Sequence, residues 1–405
     1  MVNKTYPKIK GCYECSQRRV SCDRNQPTCH KCAHRGLKCS GLGLRYRFEA
    51  DVGARGKRVE KTLAACMDAS PEATPHCQAS ESSITNLAVI ELIPPWKEFL
   101  LSYFSSTIAP QMLAIDDASN EWRHLVLSVS LADDVVNSAV LAAAACHASL
   151  KSASIRPVAQ ESYVMAICGL QRRRDLHTLN PFVNCYNVLT ILVLLVAAMA
   201  TGEADFPPLF RMLKSAVMLM GEDGLLGTGD LGRFLLRQIQ KFSVYAEPLL
   251  SEQSGIETVW ARTQAGFECL QRCSALHPEH APSLHNVRSQ IEQAYTIYLH
   301  RALGNQSHPS SSIERVEQFR QTVEAYPIGC PGEHVLVWAT FIVAAESTYT
   351  TVEHRAFFAR RMQYLHQING FGNIPKAIRL LERIWKDPAG MRWTSVIAEA
   401  QIFIM

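Results

Sequence analysis

From Trp96 onward apolar residues recur at intervals of three and four, the period of helices that turn one face inward. WKEFLLSYFSSTIAPQM (96–112), VVNSAVLAAAACHASL (135–150) and RFLLRQIQKFSVYAEPLL (233–250) carry the pattern. It continues through 291–303, 313–326, 334–349 and 356–368, while alternation of period two bounded by hairpin turns is scarce. These spacings predict an all-α body over 96–405, long enough for one or two domains. FPPLF (206–210) and GEDGLLGTGDLG (221–232) are expected to be loops between helices. The most apolar run, VLTILVLLVAAMA (188–200), has 13 residues, short of the roughly 20 needed to span hydrocarbon. It is expected to be a buried central helix, with no membrane partner.

The first 95 residues show no such period. Residues 62–95 are rich in Ala, Ser, Thr and Pro, and 66–95 contain Asp68, Glu72, Glu81 and Glu91 but no Lys or Arg. Residues 46–95 are therefore expected to be a linker, basic at first and then Ser/Thr/Pro-containing. No heptad run is visible between Leu42 and Pro95, which argues against a coiled-coil dimer there.

Ahead of the linker, the cysteines supply the chemistry. Cys12, Cys15, Cys22, Cys29, Cys32 and Cys39 are spaced C-x2-C-x6-C-x6-C-x2-C-x6-C, a duplicated unit: CYECSQRRVSC, then CHKCAHRGLKC 17 residues later. Structural zinc takes four tetrahedral ligands, and two residues three apart on a helical turn face the same way. Six thiolates cannot fill two separate tetrahedra, but four terminal and two bridging ones can. The symmetry of the repeat makes Cys12 and Cys29 the bridges, and the cofactors two structural Zn²⁺. A disulfide framework needs an oxidising compartment, and the opening MVNKTYPKIK has no apolar signal-peptide core. A Cys2His2 site using Cys15, His30 and His34 leaves 14 residues where about twelve are usual, and orphans four cysteines. His30 and His34 are expected to be exposed on a second short helix. An iron–sulfur cluster takes four cysteines and leaves the paired repeat unexplained.

Charge follows the same division. The net charge of +4 conceals 15 Lys/Arg against 5 Asp/Glu in residues 1–61, and 26 against 32 in the rest. A basic head on an acidic body confines polyanion binding to one end. RGKR (55–58) with Lys61 suits nuclear import or phosphate contact.

The cysteine spacing, with Pro27 in the loop joining the halves, resembles the fungal binuclear zinc cluster (Zn2Cys6) transcription factors over residues 11–40. The resemblance implies a cluster domain of two short helices and loops, here assigned to residues 1–45, and a nuclear protein that binds double-stranded DNA at CGG-type half-sites. In that family the first helix enters the major groove and a basic pair after the second cysteine touches the bases; the matching residues here are Arg18 and Arg19. Their chemistry agrees, since a guanidinium can donate to guanine O6 and N7. Lys10, Arg24, Lys31, Arg35 and Lys38 are then phosphate contacts or counter-charges to the cluster. Ser16 and Ser21 stand where relatives usually carry Lys or Arg, which implies weaker DNA binding and a shallower salt dependence.

HVLVWATFIVAAESTYTTVEHRAFFARRMQYLHQINGFGNIPKAIRLLERIWK (334–386) resembles the end of the fungal-specific transcription factor domain, in the variant of sterol-uptake and arginine-metabolism regulators. VVNSAVLAAAACHASL and LTILVLLVAAMATGEAD suit the same domain. That implies a regulatory module addressing the transcription machinery, and the chain's length suggests a pathway-specific regulator of a biosynthetic gene cluster in secondary metabolism. Homodimerisation stays open, and so do a body that senses a small apolar, sterol-like ligand and a zinc-folded interaction or repressor protein.

Catalytic patterns are missing. No phosphate loop, H-E-x-x-H or G-x-S-x-G occurs, and no enzyme is expected. His277 and His280 are expected in a loop, Glu346 and Glu353 on a solvated face or as caps, and the Trp and Met residues in the core.

Overall fold

The computed structural model describes residues 15, 18, 20–23, 25, 28–37, 39, 93–173, 180–203, 205–304, 309–386 and 392–405. The expected linker, its missing heptad, Cys66, Cys77 and the RGKR run lie outside them, apart from residues 93–95. The chain divides into two compact units, Met1–Glu49 and Ala50–Met405. In the first, one helix is described, α1 (His30–Ala33). In the second, the described residues form helices and turns with no strand.

The helical body starts with α2 (Pro95–Tyr103), its proline in the first turn, where no N–H is needed. α2 runs on through a wide turn, Phe104–Ile108, to Gln111. Pro110 accounts for the widening, because a proline inside a helix donates no hydrogen bond and crowds the carbonyl one turn back. The Ala109 N–H reaches five residues back to the Phe104 carbonyl. The Ser105 carbonyl instead accepts from Nε and Nη2 of Arg123, both at 3.2 Å, on α3 (Glu121–Ala132).

α4 (Asp134–Ala148) begins at Asp133, whose carboxylate accepts from the Val135 and Val136 amides. Its alanines let α5 (Arg156–Arg172) and α6 (Pro181–Thr201) approach closely. At the α4–α5 crossing a Cβ on Gly169 would come within 2.5 Å of Val135.

α6 is the centre of the body. The 188–200 run is buried throughout, packed against α4, α7 (Phe206–Leu226) and α8 (Asp230–Ala246). The helix is longer than the apolar run alone suggested, reaching back to Pro181 behind the Asn180 cap. At 21 residues it is long and apolar enough to cross a membrane, yet 78% of its most apolar window is buried inside the protein. Burial by neighbours, rather than shortness, makes it a core helix.

Both expected loops are largely helical. FPPLF opens α7, where the prolines fall among the first N–H positions that have no helical partner. α7 then continues to Leu226 across a kink at Gly221 (φ 69°), and α8 starts at Asp230, leaving a turn over 227–229. A glycine at positive φ absorbs the bend without a steric penalty.

The remaining elements are α9 (Glu252–Gly266), α10 (Glu268–Leu276), α11 (Ala281–Ala302), α12 (Pro309–Glu324), α13 (Val337–Glu346), α14 (Val352–Asn369), α15 (Asn373–Lys386) and α16 (Trp393–Ala400). Every residue of α13 is buried, with α11, α14 and α15 packed against it. Glu346, expected on a solvated face or as a cap, is 2% exposed. It accepts from Nε and Nη2 of Arg301 at 3.0 and 2.5 Å and from Nε1 of Trp393 at 2.7 Å. Glu353 is exposed in the first turn of α14. His277 ends α10, its Nε2 2.8 Å from Asp117, and His280 closes a short 3-10 turn. Trp122, Trp338 and Trp393 are in the core, whereas Trp96 and Trp260 are exposed.

Candidate metal centre and nucleic-acid interface

The second half of the cysteine repeat folds around α1. Asp23, from the preceding segment, accepts from the His30 amide at 3.0 Å and faces His30 Nδ1 at 2.8 Å. It thereby takes up an amide at the start of the helical turn, as a cap would. The amide bond foremost, with the ring contact adding to it, holds the Asp23 carboxyl down at about 2. Sequence inspection passed over this residue; its signal was a lone acid among basic neighbours shortly before a helical turn.

That turn puts Cys29 and Cys32 on one side, and both are buried. Cys15 is buried with them, its Sγ 3.6 Å from that of Cys29. The sulfurs of Cys15, Cys29 and Cys32 all lie within 4.8 Å of one another, as do the ligand atoms of Cys22, Asp23 and Cys29. Thiolates about 2.3 Å from one tetrahedral ion are roughly 3.8 Å apart, so this spacing fits zinc. Cys29 belongs to both groups, which is the arrangement that a sulfur shared between two ions requires. Its amide also donates to Cys39 Sγ at 3.5 Å, drawing the sixth cysteine of the pattern to the same centre.

The duplication seen in the sequence is also a duplication of backbone. The Val20 N–H bonds to the Cys15 carbonyl at 2.9 Å, and the Leu37 N–H bonds to the Cys32 carbonyl at 3.0 Å. Each donor lies five residues after its acceptor, and the two pairs are one repeat apart. Arg18 and Arg35 therefore occupy equivalent places in the two halves.

Among the expected DNA contacts, Lys31 and Arg35 are exposed. Arg18 is half-buried, and its Nη1 has no hydrogen-bond partner among the described residues. His30 and His34 are exposed, on and just after α1. Cys12, Lys10, Arg19, Arg24 and Lys38 lie outside the described residues.

Comparison with known proteins matches both units. The family model described as the fungal Zn(2)-Cys(6) binuclear cluster domain covers residues 10–44. The one described as the fungal specific transcription factor domain covers 99–210 and 232–404. Over 43 residues the chain is 42% identical to the acriflavine sensitivity control protein acr-2 of Neurospora crassa. That stretch is 11% of this chain and 7% of that protein. No solved structure matches the chain significantly.

Proposed function

The chain belongs to the family of fungal specific transcription factor domain proteins with a Zn(2)-Cys(6) cluster at the head, and from that premise we propose that it acts in the nucleus by reading CGG-type half-sites in duplex DNA. It binds two zinc ions, binds DNA and regulates transcription, as its two families do. The finer assignments rest on the geometry of the head. We assign Cys12, Cys15, Cys22, Cys29, Cys32 and Cys39 as ligands, with Cys12 and Cys29 shared. The observation that carries this is the membership of Cys29 in both close groups of ligand atoms. Zinc here supplies a tetrahedral cross-link and no reaction, standing in for a hydrophobic core that about 35 residues cannot build.

Arg18 and Arg19 are the base-reading pair. A guanidinium can donate to guanine O6 and N7, and the Nη1 of Arg18, buried without a partner, would have to turn outward to do so. Lys10, Arg24, Lys31, Arg35 and Lys38 hold phosphates, which sets register and affinity without carrying sequence. The chain's own target is proposed to be RNA polymerase II promoters of a biosynthetic gene cluster.

In vitro selection of random duplexes on the zinc-loaded full chain tests the reading. Two CGG triplets at fixed spacing and orientation are expected for a dimer, and one triplet for a monomer. Selection that enriches no CGG, with zinc confirmed bound, refutes it in favour of a zinc-folded interaction protein.

A second reading, a ligand-sensing body, is favoured by a cavity inside the second unit. Its volume of about 60 Å³ is under half that of a cavity of about 150 Å³ that holds benzene. A sterol, with a four-ring skeleton, does not fit it.

A further inference from the structure

α9 and α10 run almost as one helix. Between them Phe267 keeps helical angles (φ −85°, ψ −6°). Its N–H bonds to the Thr263 carbonyl at 3.2 Å, and its own carbonyl accepts from the Gln271 N–H at 2.8 Å. At about 3.6 residues per turn, Trp260, Gln264, Phe267 and Gln271 therefore fall on one stripe. Its two ends, Trp260 and Gln271, are about 16 Å apart along the axis.

The stripe projects at one end and sinks at the other. Trp260 is 77% exposed, more than any other Trp or Phe among the described residues. Phe267 is 2% exposed and lies with Leu270 and Leu284 in the floor of a groove between α10 and α11. Ala275 and Ala281 form its sides, and their small side chains leave it wide. The groove has a volume of about 390 Å³, more than twice that of a cavity of about 150 Å³ that holds benzene. An indole, about half again as large as benzene, fits it. Single exposed apolar side chains need no partner. A projecting indole on the same stripe as an apolar groove of its own size is another matter, because the face complements a copy of itself.

The charges divide in the same way. Glu257, one turn before Trp260, is exposed, and its Oε1 accepts from Gln253 Nε2 at 3.0 Å. No carboxylate lines the groove, whose ionisable side chains are His285 and Arg288. Arg288 pairs with Glu292 and lies 4.8 Å above the Phe267 ring. It therefore offers the flat face of a guanidinium for stacking rather than an unpaired charge.

We propose that two copies of this chain pair about a two-fold axis through α9 and α10, Trp260 of each filling the α10–α11 groove of the other. A two-fold contact uses one patch on both copies, so projection and groove must share a face. Antiparallel apposition of the two stripes meets that condition. The indole then lies on the partner's Leu270 and beside the partner's Arg288, and Glu257 falls next to the partner's His285. Aromatic side chains seated in pockets carry most of the energy of such contacts. The pairing needs neither a coiled coil nor DNA, so it stands apart from the DNA-binding reading.

The test is sedimentation velocity on the zinc-loaded full chain without DNA. A concentration-dependent rise from 45.2 kDa to about twice that mass is expected, ending at the dimer. Trp260→Ala removes the projection and Ala275→Arg fills the groove. Both positions are exposed, and both variants are checked for retained helical circular dichroism. Each is expected to weaken pairing about tenfold or more. An equimolar mixture of the two should pair more tightly than either alone, because the indole kept by Ala275→Arg finds the groove kept by Trp260→Ala. Growth past the dimer overturns the proposal, since a contact that does not close builds open chains. A chain still monomeric at about 100 µM overturns it too, whether its own linker or another protein fills the groove. So does a dimer that either folded variant leaves intact, or a mixture that pairs no better than its parts.

Discussion

At the residue scale, the informative groups are those whose hydrogen-bonding capacity is spent or unspent in an unusual way. His147 is 2% exposed, with Nδ1 2.9 Å from the Tyr103 hydroxyl and Nε2 3.3 Å from the Asn369 carbonyl. A carbonyl only accepts, so Nε2 carries the proton and Nδ1 accepts from Tyr103: a neutral imidazole satisfied on both sides. Burial foremost pushes its pKa below 6.5, and burial does the same for His334. Below about 6.5 the unfolded chain therefore takes up protons that the native chain refuses, and stability falls as pH falls. Urea midpoints of the body are expected to drop between about pH 7.5 and pH 5.5. His147→Gln, which keeps a donor and an acceptor without titrating, should flatten part of that drop; an unchanged slope would mean that His147 is not its source. In the head, Arg18→Ala is expected to cost about 1–3 kcal/mol on a CGG duplex and much less on a scrambled one. Equal losses on both duplexes would make Arg18 a phosphate contact.

At the scale of elements, two junctions hold the body together. The first is the end of α6 against the start of α15. Gly202 closes α6 at φ 65°, and a Cβ there would lie 2.8 Å from the Asn373 Cα and 2.9 Å from the Gly372 carbonyl oxygen. Gly372 in turn donates to the Ala200 carbonyl at 2.8 Å. Gly202→Ala meets both an unfavourable backbone and a fixed neighbour, and a loss of about 2 kcal/mol or more is expected in denaturant unfolding. A loss below about 0.5 kcal/mol would show that the junction gives way easily. The second junction is Glu346, which ties α11 through Arg301 and α16 through Trp393 to the buried α13. Glu346→Ala strands a guanidinium that is largely buried, and about 3–5 kcal/mol is expected. Glu346→Gln should recover part of this, because it can still accept from Trp393.

At the scale of the molecule, the two units depend on different physics. The head holds itself through metal–sulfur bonds, whereas the body holds itself through α6, α13 and the tryptophans packed around them. Zinc removal with a strong chelator is therefore expected to abolish DNA binding while the helical circular dichroism of the body survives. Simultaneous loss of both signals would mean that the body needs the metal as well. The acidic body and basic head also separate in charge, so the salt dependence of DNA binding should reflect the first 61 residues alone.

The sequence by itself determined the chemistry that is local and periodic. The cysteine repeat was legible because metal ligands recur at fixed spacing, and the all-α body because helices repeat every three to four residues. Helix limits near proline and glycine were less so: FPPLF and GEDGLLGTGDLG resembled loops because composition does not say whether a proline falls in a first turn or a glycine takes up a kink. The tertiary structure alone decided what depends on distant partners. Glu346 meets side chains 45 and 47 residues away, and Lys241 reaches a carbonyl 129 residues away at the edge of a cavity. Neither pairing leaves a period along the chain, since burial and ion pairing are set by which helices pack together in space.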